Sequence, residues 1–137
     1  MRIYIFQNRF EFLTQKLLLS QCWEWVKDGV NSEIDYPLLQ NLDYDNFPPL
    51  WYEQLSQGQS IITIEDESHS IGSRSIFVIP IQVKGKWWGF IGFEDYKSLR
   101  QWSEAEKSIL QAFTINLSGA IAIYESEYEL KKLNQEL

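Results

Sequence analysis

Cysteine and histidine are nearly absent from this chain, with one of each in 137 residues. A single cysteine excludes an intrachain disulfide and fits a reducing, cytoplasmic setting. The scarcity also removes most of the material for catalysis. His69 stands in Glu65-Asp66-Glu67-Ser68-His69-Ser70, which reads as an exposed loop. Consecutive loop residues do not make a catalytic triad, whose members are placed by the fold. The same run follows no recognised cation-ligand spacing. Cys22 falls in a strand pattern beside Trp23 and reads as a small core residue. Cys-x-x-Cys, phosphate-loop and His-x-x-x-His patterns are all missing. No catalytic residue and no metal site is expected.

Basic clusters are missing too. Twelve Lys and Arg face 19 Asp and Glu, for a net charge of −7. An acidic chain without a Lys/Arg run suits neither nucleic acid nor an anionic membrane surface. No apolar run approaches the roughly 20 residues that span a bilayer. Met1 leads straight into a strand pattern, without a charged and then apolar signal segment. What is plentiful is apolar and aromatic material, 45% and 15% of the chain. That is too much for disorder, and it suits one domain with a real core.

Periodicity divides the chain into strands, a short helix and a long one. Arg2–Phe6 reads as a strand, and residues 8–15 as a polar, aromatic-dotted loop. Lys16–Val26 reads as a longer strand with Leu17, Leu19, Trp23 and Trp25 on one face. Residues 31–47 form a long connection with at most a helical turn, the kind of segment that serves as a lid or binding element. Pro48-Pro49 opens a short helix and Gly58 stops it. Ser60–Ile64 is a short strand. Ile76–Val83 is apolar on both faces, so both faces are covered. Gly85 marks a tight turn. In the strand Trp87–Phe93, alternation groups Trp87, Ile91 and Phe93 on one face and Trp88 with Phe90 on the other. Gly89 and Gly92 inside that strand suggest a bend or a close approach by another element. Glu94-Asp95 reads as a polar strand exit. Ser103-x-x-Glu106 is a capping box that starts the last helix.

These pieces, in this order, resemble the GAF domain in the form common in cyanobacterial signalling proteins such as sensor histidine kinases. The residues that carry the resemblance are Arg74-Ser75, Val78-Ile79-Pro80-Ile81, Gly85, the run Trp88–Asp95, and Arg100-x-Trp102-Ser103-x-x-Glu106. Upstream, Arg2–Phe6 and Ser20–Val26 look like the first two strands of the family. Asn41–Phe47, Trp51 and Leu55–Gly58 look like the helix that follows. The resemblance implies an α+β, GAF/PAS-like fold: an antiparallel β-sheet with helices packed on one face and a long C-terminal helix. The implied layout is a GAF-like domain over 1–124, with the family's first helix missing, and a helical extension over 125–137 that could form a coiled coil. The segment between Ile64 and Arg74 is shorter than usual for the family and lacks its small covering helix.

The resemblance also implies a role. GAF domains sense or relay within two-component and related signalling proteins, where a parent protein can be a histidine kinase or nucleotide cyclase. Tetrapyrrole-binding relatives carry a cysteine near a histidine late in the domain, and nothing here matches. The cyclic-nucleotide signature and the several cysteines of the family's sulfoxide reductases are absent as well. No cofactor is expected. The expected function is a non-enzymatic sensory or regulatory domain that binds a small molecule and relays through its C-terminal helix. Pocket candidates are Trp25, Tyr44, Trp51, Phe77 and Trp88, set between the sheet and the 31–47 connection. Each also suits plain core. The alternative is a ligand-free dimerisation scaffold. Ile109, Asn116, Ile123, Leu130 and Leu137 recur every seven residues, and Phe113, Ala120, Glu127 and Asn134 fall four later. This weak heptad nominates Phe113, Asn116, Ala120, Ile123, Leu130 and Leu137 for a homodimer helix.

Overall fold

The computed structural model describes residues 1–27, 39–65, 74–95 and 101–135. Strands β1 (Arg2–Glu11), β2 (Lys16–Val26), β3 (Leu42–Asp43), β4 (Ile61–Glu65), β5 (Arg74–Val83) and β6 (Lys86–Asp95) build one sheet in the order β3-β2-β1-β6-β5-β4. All neighbours are antiparallel. A 3-10 turn (Tyr44–Asn46) and helix α1 (Pro49–Ser56) follow β3, and helix α2 (Glu104–Gln135) ends the described chain.

The β5–β6 hairpin forms where the alternation predicts it. Lys84 and Gly85 both take positive φ, 53° and 77°, which a two-residue turn matched to strand twist requires. Ile76 and Val78 point to one core, and Phe77, Ile79, Ile81 and Val83 to the other. The first core lies under α1 and gathers Tyr4, Phe6, Leu19, Trp51, Leu55 and Phe90. The second lies under α2 and gathers Ile5, Phe77, Ile91, Phe93 and Trp102, with Leu110, Leu117 and Ile121 of the helix against it. The antiparallel sheet and long C-terminal helix match the expectation. The two helices are divided between opposite faces rather than gathered on one, because β5 and β6 are apolar on both sides and each side needs a cover.

β1 runs further than its apolar part suggests. Asn8 to Glu11 pair with Leu19 to Lys16, whereas β6 accompanies β1 only as far as Gln7. The polar residues read as a loop are therefore strand in a hairpin arm that leaves the sheet, and the turn shrinks to Phe12–Gln15.

Two bulges reverse the faces that alternation assigns. In β2, Ile5 faces Trp23 while Phe6 faces Gln21, so Cys22 is the extra residue. Leu17 and Leu19 consequently join the α1 side, while Trp23 turns with Ile5 to the α2 side. In β6, Ile81 faces Gly89 and Gln82 faces Trp87, so Trp88 is extra. Trp87 then packs with Phe90 on the α1 side, and Trp88 with Ile91 and Phe93 on the α2 side. A bulge places two residues opposite one and rotates everything beyond it.

Candidate functional site: an aromatic cleft and a relay helix

The α1 side is built from rings. Asp43 accepts from the Asp45 backbone N–H while Asn46 accepts from that of Asp43, and this capping box fixes the 3-10 turn. The turn carries Tyr44 into the core, with its ring 4.9 Å from Trp87 and 5.8 Å from Tyr52. Phe47 stacks on Trp51 at 5.2 Å, and Phe6 on Phe90 at 5.0 Å. The Tyr44 hydroxyl donates to Asn8 Oδ1 at 2.5 Å, and Asn8 Nδ2 donates to the Trp87 carbonyl at 3.4 Å. Burial pushes the Tyr44 hydroxyl far above the ordinary phenol range, so it remains a donor. Rings fill the centre of this side. Open space lies at its margin, in a cleft of ≈ 610 Å³ walled by Phe10, Leu17, Tyr44, Phe47 and Tyr52 with Lys16, Asp43 and Asp45 at its polar edge. Lys16 Nζ sits 3.1 Å from Asp43 Oδ2. The backbone N–H of Asp45 and then Lys16 hold the Asp43 carboxyl below its usual range.

The α2 side is less covered. An apolar cleft of ≈ 320 Å³ lies between β1, β2, β6 and the helix, lined by Cys22, Trp23, Trp88, Phe113, Leu117 and Ile121 among others. Cys22 is exposed at its bulge rather than buried in the core, and the apolar wall beside it raises the thiol pKa by desolvation. Above the cleft, side chains clasp α2 to the β5–β6 hairpin. Trp88 Nε1 donates to Glu125 Oε1 at 3.0 Å, Lys84 Nζ donates to Ser126 Oγ at 3.0 Å, and Ser118 Oγ donates to the Gln82 carbonyl. Residues 127–135 continue past the clasp, and all are exposed.

The five pocket candidates do not share one space. Tyr44 and Trp51 lie on the α1 side, and only Tyr44 reaches the cleft there. Phe77 is core on the α2 side, and Trp88 lines the cleft of that side. Trp25 pairs across from Ile3 near the strand end and is 46% exposed. Of the helix candidates, Phe113, Asn116, Ala120, Ile123 and Leu130 are all exposed on α2. Leu137 lies outside the described residues, as do His69 and residues 31–38.

Other residues matter more than their letters suggest. Phe10, Phe47, Tyr52 and Trp87 join the α1-side rings, and the signal for them was aromatic density alone. Glu94 is no exposed strand exit: it is 3% exposed and stands 3.3 Å from Arg2 Nη2. Arg2 Nη1 also meets Glu24 at 3.6 Å, and the guanidinium lies over the Tyr4 ring. This cluster joins three strands, so only their pairing brings it together.

The chain is thus a six-stranded antiparallel sheet that carries a long C-terminal helix, with no metal-ligand cluster among the described residues. Residues 5–121 match the model of the GAF domain, and the chain belongs to the GAF domain family. It is 34% identical over 144 residues to the methanogenesis regulatory histidine kinase FilI of Methanothrix harundinacea (strain 6Ac). That match takes in 99% of this chain but only 16% of the relative's length. Solved structures of similar fold include the photoproduct state of GAF3 from Slr1393 of Synechocystis sp. PCC6803, at TM-score 0.67 and 14% identity over 94% of this chain and 86% of that one. A phycocyanobilin-bound GAF domain from a cyanobacterial phytochrome follows at TM-score 0.63 and 19% identity, over 92% of this chain and 76% of the other. At such identities the likeness is one of fold.

Proposed function

We propose that this GAF domain is a non-enzymatic relay within a cytoplasmic, histidine-kinase-type signalling protein, working as a homodimer through α2. The observation that carries the reading is the bulge at Trp88. It puts two adjacent tryptophans on opposite faces: Trp87 against Tyr44 and Tyr52, Trp88 against α2 with its N–H on Glu125. A change in ring packing on the α1 side therefore moves the same backbone that holds the helix. A ligand that favoured one packing would shift the population of helix poses by its differential affinity. The 34% identity to a regulatory histidine kinase supports that setting.

A small molecule on the α1 side is part of this reading, and a tetrapyrrole is not. Cys22 opens on the opposite, α2 side, away from the ring-lined cleft. A ligand-free scaffold is the second reading. The filled centre of the α1 side favours it, since Phe6, Phe47, Trp51 and Phe90 already occupy one another's faces.

A double-mutant cycle tests the relay. Trp87→Leu should change amide exchange across residues 119–130 of α2 in the otherwise unchanged domain. In a Trp88→Phe background, which keeps a ring but loses the bond to Glu125, that effect should largely vanish. Equal effects of Trp87→Leu in both backgrounds would remove Trp88 as the link.

A further inference from the structure

We infer that the cleft between the β1–β2 arm and residues 43–52 is a binding site for a small organic cation, an alkyl- or arylammonium. The site's volume, ≈ 610 Å³, lies in the range of small-molecule pockets, roughly 300–1,000 Å³. Its wall and its rim select different parts of a ligand. Phe10 and Tyr52, 47% and 51% exposed, present aromatic surface that is still open, beside Leu17 and Phe47. That wall suits an apolar body.

The rim is short of positive charge. Lys16 is the one cation lining the cleft, against Asp43 and Asp45. It is committed to Asp43 at 3.1 Å, and Asp43 also accepts from the Asp45 N–H at 3.0 Å. Both carboxylates act on Lys16 and raise its pKa, with Asp43 the larger cause. One carboxylate thus exceeds the available cation, and the Asp45 side chain makes no ion pair among the described residues. An anionic ligand would meet this excess and a paired lysine, in a chain of net charge −7. A purely apolar ligand would desolvate Lys16, Asp43 and Asp45 without replacing their water. A cation set over aromatic faces and beside a carboxylate satisfies both halves of the cleft, since ring faces attract cations.

The site deepens the sensory reading, because Tyr44 and Tyr52 both touch Trp87. The binding claim itself is separable from it. Titration calorimetry with benzylammonium, benzyl alcohol and benzoate at pH 7 and low salt tests it directly. Benzylammonium should bind saturably, about tenfold more tightly than benzyl alcohol, and benzoate should bind most weakly. Asp45→Asn should remove most of that preference, and Tyr52→Ala should weaken benzylammonium while circular dichroism confirms the fold of each variant. Equal binding of the three probes, no saturable binding, or an unchanged preference in Asp45→Asn would overturn the assignment. The exchange cycle at Trp87 and Trp88 uses no ligand, so failure of the cation site and failure of the relay give separate results.

Discussion

Gly89 and Gly92 illustrate how tightly β1 lies against β6. A Cβ on Gly92 would run into the Tyr4 ring, and one on Gly89 into the Phe6 carbonyl. Neither residue has positive φ, so space rather than backbone conformation requires glycine there. Gly85 is the reverse case: a Cβ would meet nothing within 4 Å, but φ is +77°. Gly92→Ala and Gly89→Ala should each lower stability by about 1–3 kcal/mol, as overpacked cores do. Gly85→Ala should cost about 1 kcal/mol, the cost of a side chain in the left-handed region. Urea denaturation of the three variants checks the order, and a Gly85 variant less stable than both others would contradict it. The sequence showed that something comes close to these two glycines. It did not show which strand, since the pairing of β1 with β6 spans most of the chain.

Among the elements, α2 was the most legible. Its start is written in Ser103 and Glu106: Glu106 N–H donates to Ser103 Oγ and Ser103 N–H to Glu106 Oε1, both at 3.1 Å. Ser103→Ala should lower stability by about 1 kcal/mol, read as a shift in the urea midpoint with an unchanged slope. No shift would mean that Lys107 N–H to the Ser103 carbonyl suffices to hold the first turn. The strands were legible in position but not in facing. Periodicity assumes that every residue advances the pleat by one step. The extra residues at Cys22 and Trp88 break that assumption, and no local letter marks them. The candidate site suffered most from this. Trp88 was grouped with Phe90, whereas it clasps the helix on the other side of the sheet.

For the whole molecule, the uncovered face of α2 sets the expectation. Ile109, Phe113, Ile123 and Leu130 are exposed along one helix, beside the apolar cleft that holds Trp23. Pairing with a second copy, as proposed above, would remove this strip's apolar area from water. Sedimentation velocity of the domain should show a dimer that dissociates at least tenfold more readily in Ile123→Glu. Ile123 is 63% exposed in the single chain, so this change should leave the fold intact. A wild-type domain that stays monomeric to high concentration would rule out pairing through α2. No helix among the described residues is long and apolar enough to cross a membrane.

The sequence by itself determined five of the six strands and both helices, but not the two-residue β3 that pairs with β2. It also determined the hairpin turn at Gly85, the capped start of α2 and the scarcity of catalytic material. These depend on residues close together in the chain, whose conformational preferences act locally. Tertiary structure alone decided which side of the sheet each aromatic faces, that Arg2 meets Glu24 and Glu94, and that Phe10, Asp45 and Tyr52 share one cleft. Those outcomes depend on strand register and on two bulges, which are settled by packing over the whole sheet rather than by any residue's neighbours.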